Sequence, residues 1–179
     1  MINAEELLFV VDENNNPQNP LPRHIVHGKG IWHRATGIWV VNNNKQILCQ
    51  KRSLKKDLKP GMWEAFFGGH LHPKETYLDN ALEELSEELG IIVQKENLIA
   101  YKIFKSDKPS HKEFQHSFIY KLDREDTEFH FEKEEIDEIR WYDFETVKRL
   151  LLVTNDLHWV HKSWDKKMLD NIAQLNAKR

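Results

Sequence analysis

Three glutamates, Glu84, Glu87 and Glu88, stand where residue type and spacing together could do chemistry. They lie in the run Glu83-Glu84-Leu85-Ser86-Glu87-Glu88-Leu89. Positions three and four apart share one face of a helix, so these carboxylates gather. In an isolated helix each like-charged pair at that spacing costs about 0.2–0.5 kcal/mol. A hard divalent cation with oxygen ligands would offset that cost. A solvated acidic face would carry the same run, so the surrounding residues decide between the two.

The helix that carries them is well specified. Residues 77–89 are predicted helical, with Leu78, Leu82, Leu85 and Leu89 recurring as one buried stripe. Thr76 followed by Asp79 is a capping-box pattern. Gly90 sits where a left-handed C-cap is wanted. A short strand is predicted over 64–68, leading to the glycine pair Gly68-Gly69. Further strands are predicted over 7–11, 36–41, 46–51, 98–104, 113–122 and 138–142. Helices are predicted over 144–152 and 157–175; in the second, Trp164, Met168, Ile172 and Leu175 form an apolar stripe. Residues 12–23, rich in proline and asparagine, read as a loop. This is the α/β class in its α+β form, a mixed sheet flanked by helices.

Composition narrows the partners. A length of 179 residues suits one domain, 1–179, with the strand and loop of 1–30 and the helix of 157–179 as extensions. The 26 Lys+Arg against 29 Asp+Glu leave a net charge of −3, which excludes a basic nucleic-acid coat. Cys49, the single cysteine, excludes a disulfide framework and a cysteine zinc cluster, and is expected in the core. The acidic start, Met1-Ile2-Asn3-Ala4-Glu5-Glu6, lacks the positive charge of a signal peptide. The longest apolar runs fall far short of the ~20 residues of a membrane span. A cytoplasmic protein with neither membrane nor nucleic acid as partner is expected.

Gly69, five residues, Glu75, seven residues, then Glu83 through Ile91 resembles the Nudix box, GX5EX7REUXEEXGU, with U aliphatic. Every specified position but one matches. The resemblance implies a Nudix-like mixed β-sheet sandwiched between α-helices. It also implies hydrolysis of a small diphosphate compound, nucleoside diphosphate linked to X or similar, with Mg2+ or Mn2+. On that basis Glu84, Glu87 and Glu88 are expected to hold the metal. Glu84 or Glu87, or a carboxylate from a later loop, would orient or deprotonate the attacking water. Bound cations neutralise the anionic diphosphate and stabilise the leaving oxygen. Gly69 would let the backbone approach the substrate closely.

Outside the box, His33-Arg34-Ala35-Thr36, Gln50-Lys51-Arg52-Ser53 and Lys59-Pro60-Gly61-Met62-Trp63 resemble the branch that holds isopentenyl-diphosphate isomerases and their hydrolase relatives. The resemblance spans roughly 7–152. That branch handles the diphosphate with a basic segment after the second strand. Here the candidates are Arg52 and Lys56, with Arg52 first because its planar fork suits phosphate. Isomerase chemistry needs a cysteine just before the motif glycine and a glutamate on a later strand. This chain has Gly68 and Gln115 there, and glutamine cannot exchange a proton near neutral pH. The isomerases also carry a histidine-rich metal site. His27, His33, His70 and Glu113 lie near positions that echo it, with His33, His70 and Glu113 as the candidate second metal site. His27 and His33 are spaced one residue differently from that pattern.

Trp63 is a candidate to stack on substrate. Glu134, Glu135 and Glu138 lie where relatives place a further catalytic carboxylate. The last helix, with Trp159 and Trp164, either caps the sheet or forms a homodimer surface. The competing readings are an isomerase and a non-catalytic sensor that keeps the fold.

The one departure from the box is Glu83, at the motif's arginine. In the family that arginine pairs with the first motif carboxylate, here Glu75, and orients the metal glutamates. Glu83→Arg is therefore expected to raise metal affinity or turnover. Mn2+ titration and a diphosphate hydrolysis assay check this, and no change in either would contradict the supporting role.

Overall fold

The computed structural model describes residues 6–109, 111–123, 128–154 and 156–177. The chain opens with β1 (Leu7–Leu8) and β2 (Leu21–Pro22), paired antiparallel, followed by α1 (Arg23–Lys29). Then come β3 (His33–Val41), β4 (Gln46–Arg52), β5 (Trp63–Glu64) and α2 (Tyr77–Leu89). β6 (Leu98–Lys108), β7 (His111–Lys121), β8 (Ile136–Asp143), α3 (Phe144–Lys148) and α4 (Asp165–Ala177) complete it.

Side chains along β3 and β4 alternate between two cores. Trp39, Val41, Ile47 and Cys49 enter one, whereas Ile38, Val40 and Leu48 enter the other. That period of two is what strands buried on both faces require. β7 runs parallel to β3, from His33 opposite Glu113 to Val41 opposite Lys121. β6 pairs antiparallel with β7, and β4 pairs antiparallel with β3, β5 and β8. The product is a six-stranded mixed sheet.

Helices cover both faces. α2 buries Ala81, Leu85 and Leu89 against Ile38, Phe67 and Phe118, with Leu78 and Leu82 at the half-buried margin of that stripe. Its caps match expectation. Thr76 accepts from the Asp79 N–H, and Gly90, at φ 68°, donates to the Leu85 and Ser86 carbonyls. On the other face α4 packs Met168, Leu169 and Ile172 against Trp39, Ile47 and Cys49, joined by Val147 and Leu151. Trp164 stacks on Phe104, with ring centroids 5.1 Å apart.

Several segments differ from the expectation. The strand of 64–68 shortens to Trp63–Glu64, and the helix of 144–152 changes to a π-helical turn over Arg149–Val153. The last helix starts at Asp165 rather than 157. Trp159 instead bridges Trp63, which donates to the His158 carbonyl at 2.8 Å and accepts from Val160 at 2.8 Å. Those bonds hold the backbone extended, so 157–164 cannot turn into helix. The strand of 7–11 is cut to Leu7–Leu8, with Val10 and Val11 in isolated bridges. Finally, α1 ends the supposed loop. Pro22 precedes it, and Gly30 closes it at φ 60°. Val26 anchors α1 in a small third core with Leu8 and Val10. Backbone bonds from Phe9 to Leu71 and from Val11 to Trp32 tie this segment to the body.

Among the described residues no helix is long and apolar enough to cross a membrane. Leu85 is 0% exposed, so Leu85→Ala should cost about 2–5 kcal/mol in urea unfolding. Ile92, 89% exposed, serves as the control, and Ile92→Ala should stay within about 0.5 kcal/mol.

Candidate active site

Docking α2 through Leu85 and Leu89 turns Glu84 and Glu88 toward the sheet. The turn before α2 meets them with the Gly68-Gly69 backbone. The Gly68 N–H donates to Glu88 Oε2 at 2.7 Å. Glu84 lies so close to Gly69 that a Cβ there would collide with its carboxylate. A side chain at 69 would therefore displace Glu84, which is the physical use of that glycine. Burial pushes the Glu88 carboxyl up to about 8, against the pull of the Gly68 N–H and with the Glu64 charge adding to the rise. Burial, then Glu88 and Glu87, raise Glu84 well above the ordinary carboxylate range. Glu87 is raised as well, by burial and then Glu83. A divalent cation would reverse each of these penalties, and oxygen donors suit a hard one.

These glutamates line a cavity of about 460 Å3 together with Glu132 and Glu135. Arg23, Arg52 and Lys56 line it too. Each of these cations is already partnered. Arg52 donates from Nη1 to the buried Glu64 at 2.7 Å and from Nε to the Leu58 carbonyl at 3.1 Å. Lys56 pairs with Glu135, and Arg23 with Glu6 at 3.4 Å. An anion entering the cavity would therefore exchange partners rather than meet bare charges. A larger hollow of about 600 Å3 lies past the C-terminus of α2, lined by Ile92, Val93, Tyr120 and Leu122 among others, and it shares no lining residue with the glutamate cavity.

Next to the cavity, His27, His33 and His70 come together. One ligand nitrogen from each lies within 4.8 Å of the others. His33 donates from Nδ1 to the Ile31 carbonyl at 2.8 Å, which leaves its Nε2 buried and without a partner. Ligating imidazoles are commonly oriented by a bond of this kind. Burial, with the His33 charge adding, lowers His27 to about 4, and burial lowers His33 and His70 too. Three neutral imidazoles are a suitable donor set for a transition metal.

Two expected site residues take other partners. Glu113, expected with His33 and His70, lies opposite His33 in the β3–β7 register but pairs with His111 at 3.1 Å and Lys162 at 3.6 Å, and His27 completes the close group of three histidines. Burial opposes its charge, but Lys162 and His111 hold its carboxyl well below the ordinary range. Trp63 packs against Trp159 and Tyr142, with centroids 6.0 and 5.3 Å away, rather than lining the cavity. Arg52, Lys56, Gly69, Glu84, Glu87, Glu88 and His70 do meet at the cavity. Of the later acidic run Glu135 reaches it, whereas Glu134 pairs with Lys55 and Glu138 with Arg140. Glu75, deprived of the motif arginine, accepts from the His72 N–H at 2.7 Å and the Asn80 amide at 3.2 Å. Residue spacing missed Arg23, Glu64 and Glu132. The only hint for Arg23 was its nearness to His27 in sequence.

Comparison with known proteins agrees with this geometry. A family model of the NUDIX domain matches residues 31–164. Isopentenyl-diphosphate Delta-isomerase 2 of Photorhabdus laumondii is 28% identical over 171 residues, covering 94% of this chain and 93% of the relative. An uncharacterized Nudix hydrolase of Clostridium acetobutylicum is 32% identical over 139 residues, covering 74% of this chain and 67% of the relative. The crystal structure of the Deinococcus radiodurans protein DR0079 superposes with a TM-score of 0.70 at 19% identity, covering 93% of this chain and 99% of that one, a likeness of fold. The chain belongs to the Nudix family, as an enzyme of the Nudix diphosphate-hydrolase type.

Proposed function

We propose that this chain hydrolyses the diphosphate bond of a small compound, a nucleoside diphosphate linked to X or a similar molecule. Mg2+ or Mn2+ is held by Glu84, Glu87 and Glu88. The observation that supports this most is one cavity shared by these carboxylates, the Gly68-Gly69 backbone and the cations Arg52 and Lys56. Carboxylates suit hard cations, and cationic side chains suit phosphate oxygens. When bound, the metal neutralises the diphosphate and stabilises charge on the leaving oxygen. Glu84 and Glu87 are the residues assigned to orient or deprotonate water. Arg52 grips phosphate with its fork while Lys56 acts as a point charge. The unit is the domain 1–179, in which the N-terminal segment contributes Arg23 and His27 to the site. His27, His33 and His70 form a second, transition-metal site.

The isomerase reading draws on the 28% identical relative. Two positions oppose it. Gly68 has φ 128°, and a Cβ there would lie 2.6 Å from the Thr36 carbonyl oxygen, so a cysteine demands a backbone shift. Gln115 is buried, with its amide against Gly37. Conversion of isopentenyl to dimethylallyl diphosphate by the wild-type protein would favour the isomerase.

Phosphate release, with and without a coupled phosphatase, over a panel of diphosphates tests the hydrolase. Turnover should require Mg2+ or Mn2+. Glu88→Gln should lower kcat/KM about a hundredfold or more, given the several kcal/mol that a bound cation supplies. Metal-independent turnover, or a Glu88→Gln enzyme as fast as wild type, would contradict it.

The carboxyl cluster also sets a pH dependence. Folding raises Glu88 from 4.5 to about 8, so between those values the native state binds more protons than the unfolded chain. Metal-free stability should therefore fall as pH rises through that window. Metal binding needs the ionised carboxylates, so stabilisation by Mn2+ should grow over the same window. Thermal unfolding from pH 5 to 8, with EDTA or with Mn2+, checks both slopes.

A further inference from the structure

His33 and Arg34 are neighbours on β3, so their side chains leave opposite faces of the sheet. His33 joins the histidine group. Arg34 goes the other way and meets three separate parts of the chain. Its guanidinium carbon lies 4.4 Å from the Phe9 ring centroid and 5.3 Å from that of Tyr77. Its Nε donates to Asn15 Oδ1 at 2.8 Å, and its Nη2 donates to the Asn15 carbonyl at 2.9 Å. Phe9 and Asn15 belong to the N-terminal segment, whereas Tyr77 opens α2, the helix of the three glutamates. Asn15 is shaped for this contact. Its φ of 67° is a left-handed conformation that asparagine tolerates. The Asp12 carboxylate accepts from the Asn14 and Asn16 N–H groups at 2.8 and 2.9 Å, which fixes the turn around it. A planar guanidinium can face a ring and donate two parallel bonds at once, and a lysine cannot.

The segment that Arg34 grips carries α1, which brings Arg23 to the glutamate cavity and His27 to the histidines. Its own core is small, with Leu8, Val10 and Val26 buried and Leu21 and Ile31 packed against them. From this juxtaposition we infer that Arg34 is a positioning residue: by joining Phe9 and Asn15 to Tyr77 it seats the N-terminal segment on α2, and so holds His27 and Arg23 in place at the site. Arg34 is neither in the histidine group nor among the residues lining the glutamate cavity, so it acts through the segment. One of its readouts rests on the reading of the three histidines as a metal site, and the other needs no metal.

The test uses the full chain with two variants. Arg34→Met keeps an unbranched side chain and loses the fork. Asn15→Gly keeps the left-handed turn and loses Oδ1. Hydrogen exchange in metal-free protein reads the anchor directly. The Phe9 and Val11 amides, bonded to the Leu71 and Trp32 carbonyls, should lose about tenfold or more of their protection in Arg34→Met. The Leu85 and Leu89 amides of α2 should keep theirs. Co2+ at the histidines is read from its visible absorption band in competition with a chelator, with His27→Asn as control. Arg34→Met should weaken it about tenfold or more, while Mn2+ affinity at the glutamates holds. In a His27→Asn background Arg34→Met should add nothing further. Asn15→Gly should move both readouts the same way by less, and it decides the matter if Arg34→Met does not fold. Unchanged exchange at Phe9 and Val11 in the folded variants would overturn the anchor. Faster exchange with unchanged Co2+ affinity would overturn the positioning role. Equal losses of Co2+ and Mn2+ affinity would overturn it too, because they reduce Arg34 to a general support of the fold. A Co2+ band that survives His27→Asn would overturn the histidine-site reading alone, with exchange still deciding whether Arg34 seats the segment.

Discussion

Everything at the cavity follows from crowding carboxylates where helix meets sheet. Glu84 and Glu88 project from α2 toward the sheet, into a cavity shared with Arg23, Arg52 and Lys56, and Glu87 stands beside them. Burial and mutual repulsion both disfavour their ionised forms. Such a cluster persists only because stronger forces fix its frame. Leu85 and Leu89 dock α2, and the Gly68 N–H holds one oxygen of Glu88. The unpaid electrostatic cost is a store of affinity for a cation, since a metal gains most where carboxylates are already gathered and poorly solvated.

The same economy governs the cations. Arg52, Lys56 and Arg23 are held by Glu64, Glu135 and Glu6. These pairs use up the cations of the cavity before any ligand arrives. An anionic substrate bound as proposed would redistribute partners. Arg52 is the most constrained, since Glu64 and the Leu58 carbonyl take two of its donors and orient the rest of the fork. Such fixation reduces the entropy lost on binding. Arg23 is different because one of its partners is a histidine, His70, 3.0 Å away.

Local signals were the ones legible from residues alone. The bounds of α2, its Thr76 and Gly90 caps and the clustering of its glutamates all depend on neighbours within a turn or two. The strands of both cores were recognisable from apolar alternation, although their ends moved by a few residues. What was hidden depends on partners distant in sequence. α1 is seven residues long and contains Gly28, so it shows no periodicity, yet it carries Arg23 and His27. Residues 157–164 have helical composition but are captured by β5 through Trp63. Glu113 was placed with the histidines by its position; it does lie opposite His33, but its carboxylate pairs with His111 and with Lys162, far along the chain. Trp63 had the type of a stacking residue, and Trp159 stacks on it while Tyr142 packs edge-on.

The most direct measurement is the number of protons released when Mn2+ binds to the glutamate cluster near pH 7. Isothermal titration in buffers of different ionisation enthalpy reads it, with Glu88→Gln as reference. Carboxyls that burial keeps protonated must ionise to take the metal, so wild type should release about one proton or more per ion and the variant fewer. Tight Mn2+ binding without proton release, or equal release from the variant, would contradict a buried carboxylate cluster as the metal-holding centre of this enzyme.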